Sequence, residues 1–325
     1  MGMQFKVLDR TQVASYLSEI YQVAYSDQFA EFARLAYEST RSFVGIFKDG
    51  ELKAFFPVFE RAGRQRIAEV PLFIYTELFF VDSQFVIKGD TFGRELLDFL
   101  GCDVLRLNIF KPRFPAQFKT EGFNELFTAM VLSLGPYHTF DEYLHNAISG
   151  NARSKIYKGE SSGFQLSQLS ERELPGFYEL YRSHVAHLQS KPHSLEYFKQ
   201  IFASHHPGED LFMFGVRHEG KLVSANLFFL NKEYLEVKFL ADDIRERRLF
   251  PNNFLYAEMI KWALVRGVSA IDFGGIPNGM RGNIEFKKSF GAQEYPIYTR
   301  YFFKNIFQLL RFKVRRKIEN IRKSR

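Results

Sequence analysis

The stretch from residue 211 to residue 303 constrains the fold of this chain more than any other part of its sequence. Three apolar runs there are separated by short turns at Glu219-Gly220 and Asn231-Lys232. An amphipathic helical segment, "NNFLYAEMIKWALVRG", follows, and then a strand, "VSAIDFGG", a short helix, "RGNIEFKKSFG", and a last strand, "YPIYTRYFF". A meander followed by helices and strands in alternation predicts a mixed α+β domain.

The first half of the chain has a similar order of elements, although the two halves share no obvious sequence identity. "DQFAEFARLAYES" has helical spacing, and strand patterns follow with turns at Asp49-Gly50 and near Ala62-Gly63. An apolar segment, "PLFIYTELFFV", a helix, "DTFGRELLDFL", and two strands, "CDVLRLNIF" and "FNELFTAMVLSLG", complete this half. The sequence therefore predicts two structurally similar domains of mixed α/β sheets, residues 1–139 and 140–303, and a tail, residues 304–325.

Composition excludes several classes of protein. The 325 residues are 46% hydrophobic, which is enough for two packed cores, but no apolar run reaches the roughly 18 residues of a membrane-spanning helix. The N-terminus lacks the basic-then-apolar order of a signal peptide, and the single Cys102 excludes an internal disulfide. His184 and His187 are three residues apart, but no further ligands converge on them in the sequence. We therefore expect a cytoplasmic protein without a metal site.

The positive charge of the chain is concentrated in its tail. Residues 304–325 contain nine Lys or Arg and one acid, Glu319, so the rest of the chain is nearly neutral. Apolar residues recur in the tail at helical spacing: Phe307, Leu310, Val314, Ile318 and Ile321. Three interpretations remain open: a helix docked on the body, an amphipathic helix on an anionic membrane, and a helix that follows a nucleic-acid backbone.

Four stretches carry a family resemblance when their order and spacing are taken together. They are "DGELKAFFPVFE…RIAEVPLF", "NARSKIYKGESSGF", "PNNFLYAEMIKWALVRGVSAIDFGG" and "IEFKKSFGAQEYP". The first resembles the first-domain meander of the FemAB (FemABX) transferases, and the second resembles the helix between their domains. The third and fourth together resemble the most characteristic run of that family. Relatives of these enzymes are the FemAB-like or BioF2-like acetyltransferases. The resemblance covers about residues 40 to 303.

This resemblance implies two tandem GNAT-like domains, with the fold of acyl-CoA N-acyltransferases, and an enzyme that transfers an acyl group to an amine. In that family the group is commonly an aminoacyl group from aminoacyl-tRNA, and the best-known acceptors are peptidoglycan precursors. We therefore expect an aminoacyltransferase acting on an amine of a cell-envelope precursor (peptidoglycan or polysaccharide), with no tightly bound cofactor. Two alternatives remain: an acetyl-CoA-dependent N-acetyltransferase of an envelope sugar or small amine, and a non-catalytic module that binds glycan or nucleic acid.

The short helix near the C-terminus carries two adjacent lysines, Lys287 and Lys288. The resemblance places a functional lysine at Lys287. A lysine facing a cleft can neutralise a donor phosphate or the oxyanion of a tetrahedral intermediate. The simpler interpretation is that both lysines are exposed on the surface.

The glycine-rich stretch before that helix, "DFGGIPNGMRGN", has the spacing of neither a P-loop nor a Rossmann turn. We expect a strand-to-helix turn at the mouth of the cleft that needs a positive φ at Gly274 or Gly275, and both are candidates for substrate binding. Asp272 is expected to cap this turn.

The start of the long helix departs from a typical coenzyme A enzyme. There, "DDIRERRLFPNNFLYAE" has three arginines but no glycine, and Pro251 removes one of the N–H donors that cradle a pyrophosphate. Arg248 and Asn252 are candidates for binding phosphates or substrate, although a solvated charged loop is an equal alternative. Asp242 and Asp243 end the preceding strand and are candidates for the general base, because a carboxylate there can face the cleft.

The segment "NARSKIYKG" predicts a helix with Asn151 as its N-cap. Its spacing places Arg153, Tyr157 and Lys158 near one face, with Lys155 turned away. Because guanidinium and ammonium groups pair with phosphates, this face is a candidate clamp for the donor or the acceptor. The alternative is a basic surface helix.

Overall fold

The computed structural model describes residues 3–20, 22–72, 75–110 and 117–323, and the chain forms two compact units. Unit 1 comprises Met1–Thr128 with Tyr295–Arg325, and unit 2 comprises Ala129–Glu294. The sequence predicted a single division near residue 140. The chain instead returns to unit 1 after unit 2 is complete, so the whole of the last predicted strand, residues 295–303, belongs to the first unit.

Unit 1 is a mixed α/β unit whose sheet has the strand order β1-β2-β3-β4-β7-β15. Its strands and helices before unit 2 are β1 (Gln4–Leu8), α1 (Arg10–Leu17), α2 (Asp27–Tyr37), β2 (Ser39–Lys48), β3 (Glu51–Arg61), β4 (Ile67–Glu69), β5 (Phe79–Phe80), β6 (Ile87–Lys88), α3 (Gly89–Leu100), β7 (Val104–Phe110) and β8 (Phe118–Lys119). The β2–β3 hairpin turns at Asp49 and Gly50, both at positive φ, as predicted. Phe73 and Ile74 of the predicted apolar segment lie outside the described residues.

Unit 2 has the strand order β9-β14-β13-β12-β11-β10, with β10 to β13 antiparallel and β13 parallel to β14. Its elements are β9 (Asn124–Ser133, which begins in unit 1), α4 (Phe140–Asn146), α5 (Gly150–Glu160), β10 (Gln165–Gln168), α6 (Leu174–His187), α7 (Leu195–Ser204), β11 (Leu211–His218), β12 (Lys221–Asn231), β13 (Tyr234–Asp242), α8 (Pro251–Val265), β14 (Ala270–Pro277) and α9 (Arg281–Lys288). The predicted mixed α/β architecture is confirmed.

Two helices of unit 2 differ from the sequence-based expectation. The predicted N-cap of α5, Asn151, lies inside the helix, because the Ser149 hydroxyl accepts the Ala152 amide and the helix begins at Gly150. Helix α8 is not amphipathic. The sheet covers one side of it and α5 covers another, so close that a Cβ on Gly159 would lie 3.0 Å from the Cβ of Phe254.

The chain returns to unit 1 through β15 (Gln293–Phe303) and α10 (Ile306–Lys323). Strand β15 pairs antiparallel with β7, from Ile297 opposite Phe110 to Phe303 opposite Val104. The Phe302 ring packs directly on α3, where a Cβ on Gly93 would lie 2.2 Å from a ring atom. Only glycine therefore permits this contact. Among the helices of the described residues, none is both long and apolar enough to cross a bilayer.

Replacing Gly93 with alanine should destabilise unit 1 by about 1–3 kcal/mol, because the new methyl group overlaps the Phe302 ring. Denaturant unfolding measures the change. Gly176→Ala is the matched control: Gly176 is also helical, but a Cβ there meets nothing within 4 Å. The control should be neutral or more stable by up to about 1 kcal/mol. Equal stability of the two variants would contradict the described packing.

Candidate active site

A cavity opens where β13 and β14 separate. Their parallel ladder pairs Tyr234 with Ala270, Leu235 with Ile271 and Glu236 with Asp272. The residues that follow these pairs, Val237 on β13 and Phe273 on β14, line a cavity of about 410 Å³. Helices α6 and α9, the first turn of α8, and the 3₁₀ turn before α8 supply the other walls.

Aromatic side chains make one side of the cavity apolar and rigid. The Tyr256 ring of α8 stacks on Phe273 at 5.4 Å and meets Phe286 edge-on at 5.1 Å. Phe239 and Phe250 also line the cavity. A wall of packed rings excludes water, and electrostatic interactions inside such a site are stronger than in bulk solvent.

Of the two adjacent lysines of α9, Lys287 is the one that lines this cavity, together with Lys238 of β13. Buried Ile284 and Phe290 anchor the inner face of α9, which leaves Lys287 half-buried in the cavity wall. Its Nζ donates a hydrogen bond to the Phe273 carbonyl at 3.0 Å. Burial lowers the pKa of Lys287 to about 8, although the nearby Asp272 carboxylate opposes this shift. The ammonium is therefore held close to its titration point at neutral pH.

Lys288 lies in a different environment. It is exposed, and its Nζ forms an ion pair with Glu294 at 2.7 Å. In the described chain Lys288 is not among the residues that line the cavity, and its ion pair directs it along the surface. The catalytic role predicted for Lys287 remains a prediction, but the structure brings it to the cavity and leaves Lys288 at the surface.

Asp242 is a buried carboxylate that contacts three neighbouring side chains. It is 1% exposed, and it contacts the Nδ1 of His184, the Nε of Arg247 at 2.7 Å and the Nδ2 of Asn252 at 3.2 Å. Burial raises the pKa of Asp242, but the hydrogen bonds from His184 and Arg247 outweigh burial and hold the pKa at about 2. Ser224 donates in turn to the Asn252 carbonyl oxygen at 2.6 Å. Asp242 is thus a stable anion and a weak proton acceptor.

His184, which contacts Asp242, was not identified as a site residue from the sequence. His184 lies on α6, 58 residues from Asp242, and it lines the cavity. A carboxylate at Nδ1 favours the tautomer with its proton on that atom, which leaves Nε2 as the basic nitrogen. The local sequence offers only the pair His184 and His187, and a spacing of three residues does not distinguish an active-site histidine from one on the surface of a helix.

The predicted glycine turn is placed differently. Strand β14 continues through Gly274 and Gly275 to Pro277, so the turn falls after the strand rather than at the two glycines. Gly274 has the predicted positive φ, 77°, and its amide donates to the Asp272 carboxylate at 2.7 Å, so Asp272 binds the backbone within β14 rather than the turn that follows it. In the described part of the chain, neither glycine is among the residues that line the cavity.

The start of α8 does not form a glycine cradle for pyrophosphate. Phe250 occupies the N-cap with a positive φ of 62°, and Pro251, the first residue of α8, has no N–H. Two of the three predicted arginines pair with acids, Arg245 with Asp243 at 2.8 Å and Arg247 with Asp242. Arg248 is exposed and, in the described chain, is not a lining residue of the cavity.

The basic face predicted on α5 is a second surface of unit 2. Arg153, Tyr157 and Lys158 line one shallow depression of about 500 Å³. The Lys158 Nζ lies 5.9 Å from the centroid of the Phe250 ring, and the same ring lines the cavity. Lys155 does not line the depression but lies 5.8 Å from the same centroid. Phe250 therefore separates the cavity from the basic face.

Comparison with known proteins identifies the type of domain that holds the cavity. Residues 148–288 match the family model of the acetyltransferase (GNAT) domain. The chain shares its fold with FemX over 94% of this chain and 99% of that one, with 15% identity and a TM-score of 0.69. No curated protein matches the sequence.

Two further solved structures have the same fold along nearly the whole chain. A tandem GNAT protein of the clavulanic acid biosynthesis pathway is 12% identical, with coverages of 92% and 98% and a TM-score of 0.55. L-PGS from Bacillus licheniformis is 12% identical, with coverages of 94% and 96% and a TM-score of 0.53. The chain thus has the fold of tandem GNAT proteins, and its residues 148–288 are similar to GNAT acetyltransferase domains.

Proposed function

We propose that this protein transfers an acyl group, preferentially an aminoacyl group from aminoacyl-tRNA, to an amine of a cell-envelope precursor. The observation that carries the proposal is the convergence of Lys287 and the His184–Asp242 pair on one cavity of a GNAT-type domain. The resemblance to FemAB transferases supplies the donor and the acceptor class. Because aminoacyl-tRNA is a cytoplasmic molecule, the proposal implies a cytoplasmic enzyme.

The cavity side chains suit each step of such a transfer. The acceptor nitrogen attacks the ester carbonyl carbon, and the carbonyl oxygen becomes an oxyanion that the Lys287 ammonium stabilises. His184 Nε2 takes the proton that the nitrogen loses. When the C–O bond breaks, Lys287 can give a proton to the leaving ribose oxygen, because its pKa of about 8 is near the working pH. An amide forms, and the tRNA leaves with a free hydroxyl.

Asp242 is better suited to positioning than to proton transfer. The sequence made it a candidate for the general base, but its pKa of about 2 leaves it a weak acceptor at neutral pH. Its contact with Nδ1 fixes the ring of His184 and stabilises the imidazolium that forms when Nε2 is protonated. Asn252, proposed from the sequence to bind substrate, holds this carboxylate in place.

The basic depression on α5 is proposed to meet the phosphates of the donor or the acceptor. Arg153 and Lys158 supply the charge there, and exposed Arg248 can extend it. A donor whose phosphates are met by side chains does not need the backbone cradle that Pro251 interrupts. This favours a tRNA donor over coenzyme A.

Acetyl-CoA remains the second candidate donor, because the family model that matches residues 148–288 is that of an acetyltransferase domain. The acceptor would then be an envelope sugar or small amine. The same cavity chemistry applies, with a thiolate rather than an alkoxide as the leaving group.

Replacing Lys287 with methionine should lower kcat about 10²- to 10³-fold, since the oxyanion loses its cation. Transfer to hydroxylamine, a generic amine acceptor, measures the rate. Lys288→Met is the matched control and should change kcat less than about twofold, because Lys288 is at the surface.

The protonated form of Lys287 is the active one, so the wild-type rate should fall as pH rises through about 8. In Lys287→Arg this decline should move to higher pH. A wild-type rate in Lys287→Met would refute the assignment. No transfer by the wild-type protein itself would point to a non-catalytic binding module.

Replacing His184 with glutamine should lower kcat about 10²- to 10⁴-fold, because the attacking amine loses its base. His187→Gln is the matched control, an exposed histidine on the same helix. Added imidazole should restore part of the lost rate in His184→Gln, which a purely structural defect would not allow. Asp242→Asn should give an intermediate loss. Equal rates in the two histidine variants would exclude His184 as the base.

Binding of aminoacyl-tRNA and of acetyl-CoA across a salt series distinguishes the two donors. We expect tRNA binding that weakens steeply with salt, and about tenfold weaker binding in Arg153→Ala/Lys158→Ala. Lys199→Ala, which removes an exposed lysine from α7, is the control and should bind like wild type. Tight, salt-insensitive binding of acetyl-CoA with no tRNA binding would overturn the tRNA donor and leave the cavity chemistry in place.

A further inference from the structure

Helix α10 exposes a row of apolar side chains. Phe307 is 76% exposed, Leu310 52% and Val314 57%. At about 100° per residue, these three lie within about 60° of one another around the helix. Single exposed apolar residues are common on protein surfaces, but a row on one helix face marks an interaction surface.

The opposite side of α10 attaches the helix to unit 1. The Phe312 ring lies 5.1 Å from Tyr301 and 5.4 Å from Phe303 of β15. The Gln65 side-chain amide donates to the Gln308 carbonyl at 3.0 Å. Phe312 is about 140° around the helix from Phe307, so the apolar row faces away from these contacts. The interpretation of α10 as a helix docked on the body therefore accounts for one side of it and leaves the apolar row unexplained.

Basic residues lie on both sides of the apolar row. Exposed Arg311 is about 40° from Phe307 on one side, and exposed Lys313 and Lys317 lie beyond Leu310 on the other. The sequence repeats the apolar spacing at Ile318 and Ile321, whose side chains are outside the described part of the chain. Residues 304–325 carry nine bases and one acid.

An apolar row flanked by bases matches one partner better than the others. A nucleic-acid backbone would pair with the bases but would leave Phe307, Leu310 and Val314 in water. At an anionic bilayer, the apolar row enters the boundary between headgroups and acyl chains while lysines and arginines reach outward to the lipid phosphates. We propose that α10 docks this protein on an anionic membrane surface, with the apolar row facing the lipid. The surface lies on unit 1 and does not depend on the function proposed for unit 2.

Flotation of the full chain with lipid vesicles tests the proposal. Wild-type protein should bind phosphatidylcholine vesicles that contain phosphatidylglycerol, and binding should weaken as salt rises. Phe307→Ser/Leu310→Ser should bind these vesicles at least about tenfold more weakly. Lys313→Glu/Lys317→Glu should lose about fivefold or more per reversed charge on anionic vesicles and change little on pure phosphatidylcholine. Val265→Ser is the matched control: Val265 is 89% exposed at the end of α8, and this variant should bind like wild type.

Three results would overturn the proposal. One is equal flotation of Phe307→Ser/Leu310→Ser and wild type. In another, the protein does not float but binds tRNA, and this binding is lost in Lys313→Glu/Lys317→Glu and kept in Phe307→Ser/Leu310→Ser. That result would make α10 a helix that binds nucleic acid. In the third, the protein does not float but sediments as a dimer, and Phe307→Ser/Leu310→Ser sediments as a monomer. That result would make a second copy of the chain the partner of the apolar row. Circular dichroism and the fluorescence of Trp262 confirm that each variant is folded.

Discussion

The site in unit 2 depends on a buried negative charge at the end of β13. Moving a carboxylate out of water costs on the order of several kcal/mol, and Asp242 is compensated by a histidine, an arginine and an amide. These partners come from α6, from the 3₁₀ turn and from α8, three elements that wall the cavity. Removing any one of them would leave a charge without its full set of donors. The ion pairs therefore fix the position of the walls as well as the ring of His184.

Lys287 is a positively charged side chain in the wall of the same cavity, and it has fewer compensating partners than Asp242. Its ammonium donates to a backbone carbonyl, and the acid that acts on its pKa, Asp272, is engaged by the Gly274 amide and the Tyr234 hydroxyl. A lysine held in this way is destabilising relative to one in water, as its lowered pKa shows. Perturbed groups of this kind concentrate where charge develops during a reaction. The exposed Lys288 beside it, paired with Glu294, shows that the same short helix can also hold a lysine in an ordinary environment.

The sequence predicted what is encoded locally and missed what depends on distant partners. The turns at Asp49-Gly50 and Glu219-Gly220 follow from residues close together in the chain. The return of β15 to β7 does not, because an apolar strand carries no local mark of its partner. His184 was missed for the same reason, since only the fold brings it to Asp242. The prediction that α8 is amphipathic was wrong, because α5 packs on a face of α8 that the sequence alone would assign to solvent.

Phe250 shows why the rim of the cavity differs from a phosphate cradle. A non-glycine residue at positive φ costs roughly 1–2 kcal/mol, and glycine at this position would remove that cost and bare the backbone. The chain instead keeps an aromatic ring there, which lies close to the ammonium groups of Lys155 and Lys158 and lines the cavity on its other side. Gly159 lets α5 approach so closely that a Cβ there would lie 3.3 Å from the Phe250 carbonyl oxygen. The strained residue thus lies between the basic face and the apolar wall. At this rim the cationic side chains of α5 therefore stand where a phosphate cradle would present a nest of backbone amides.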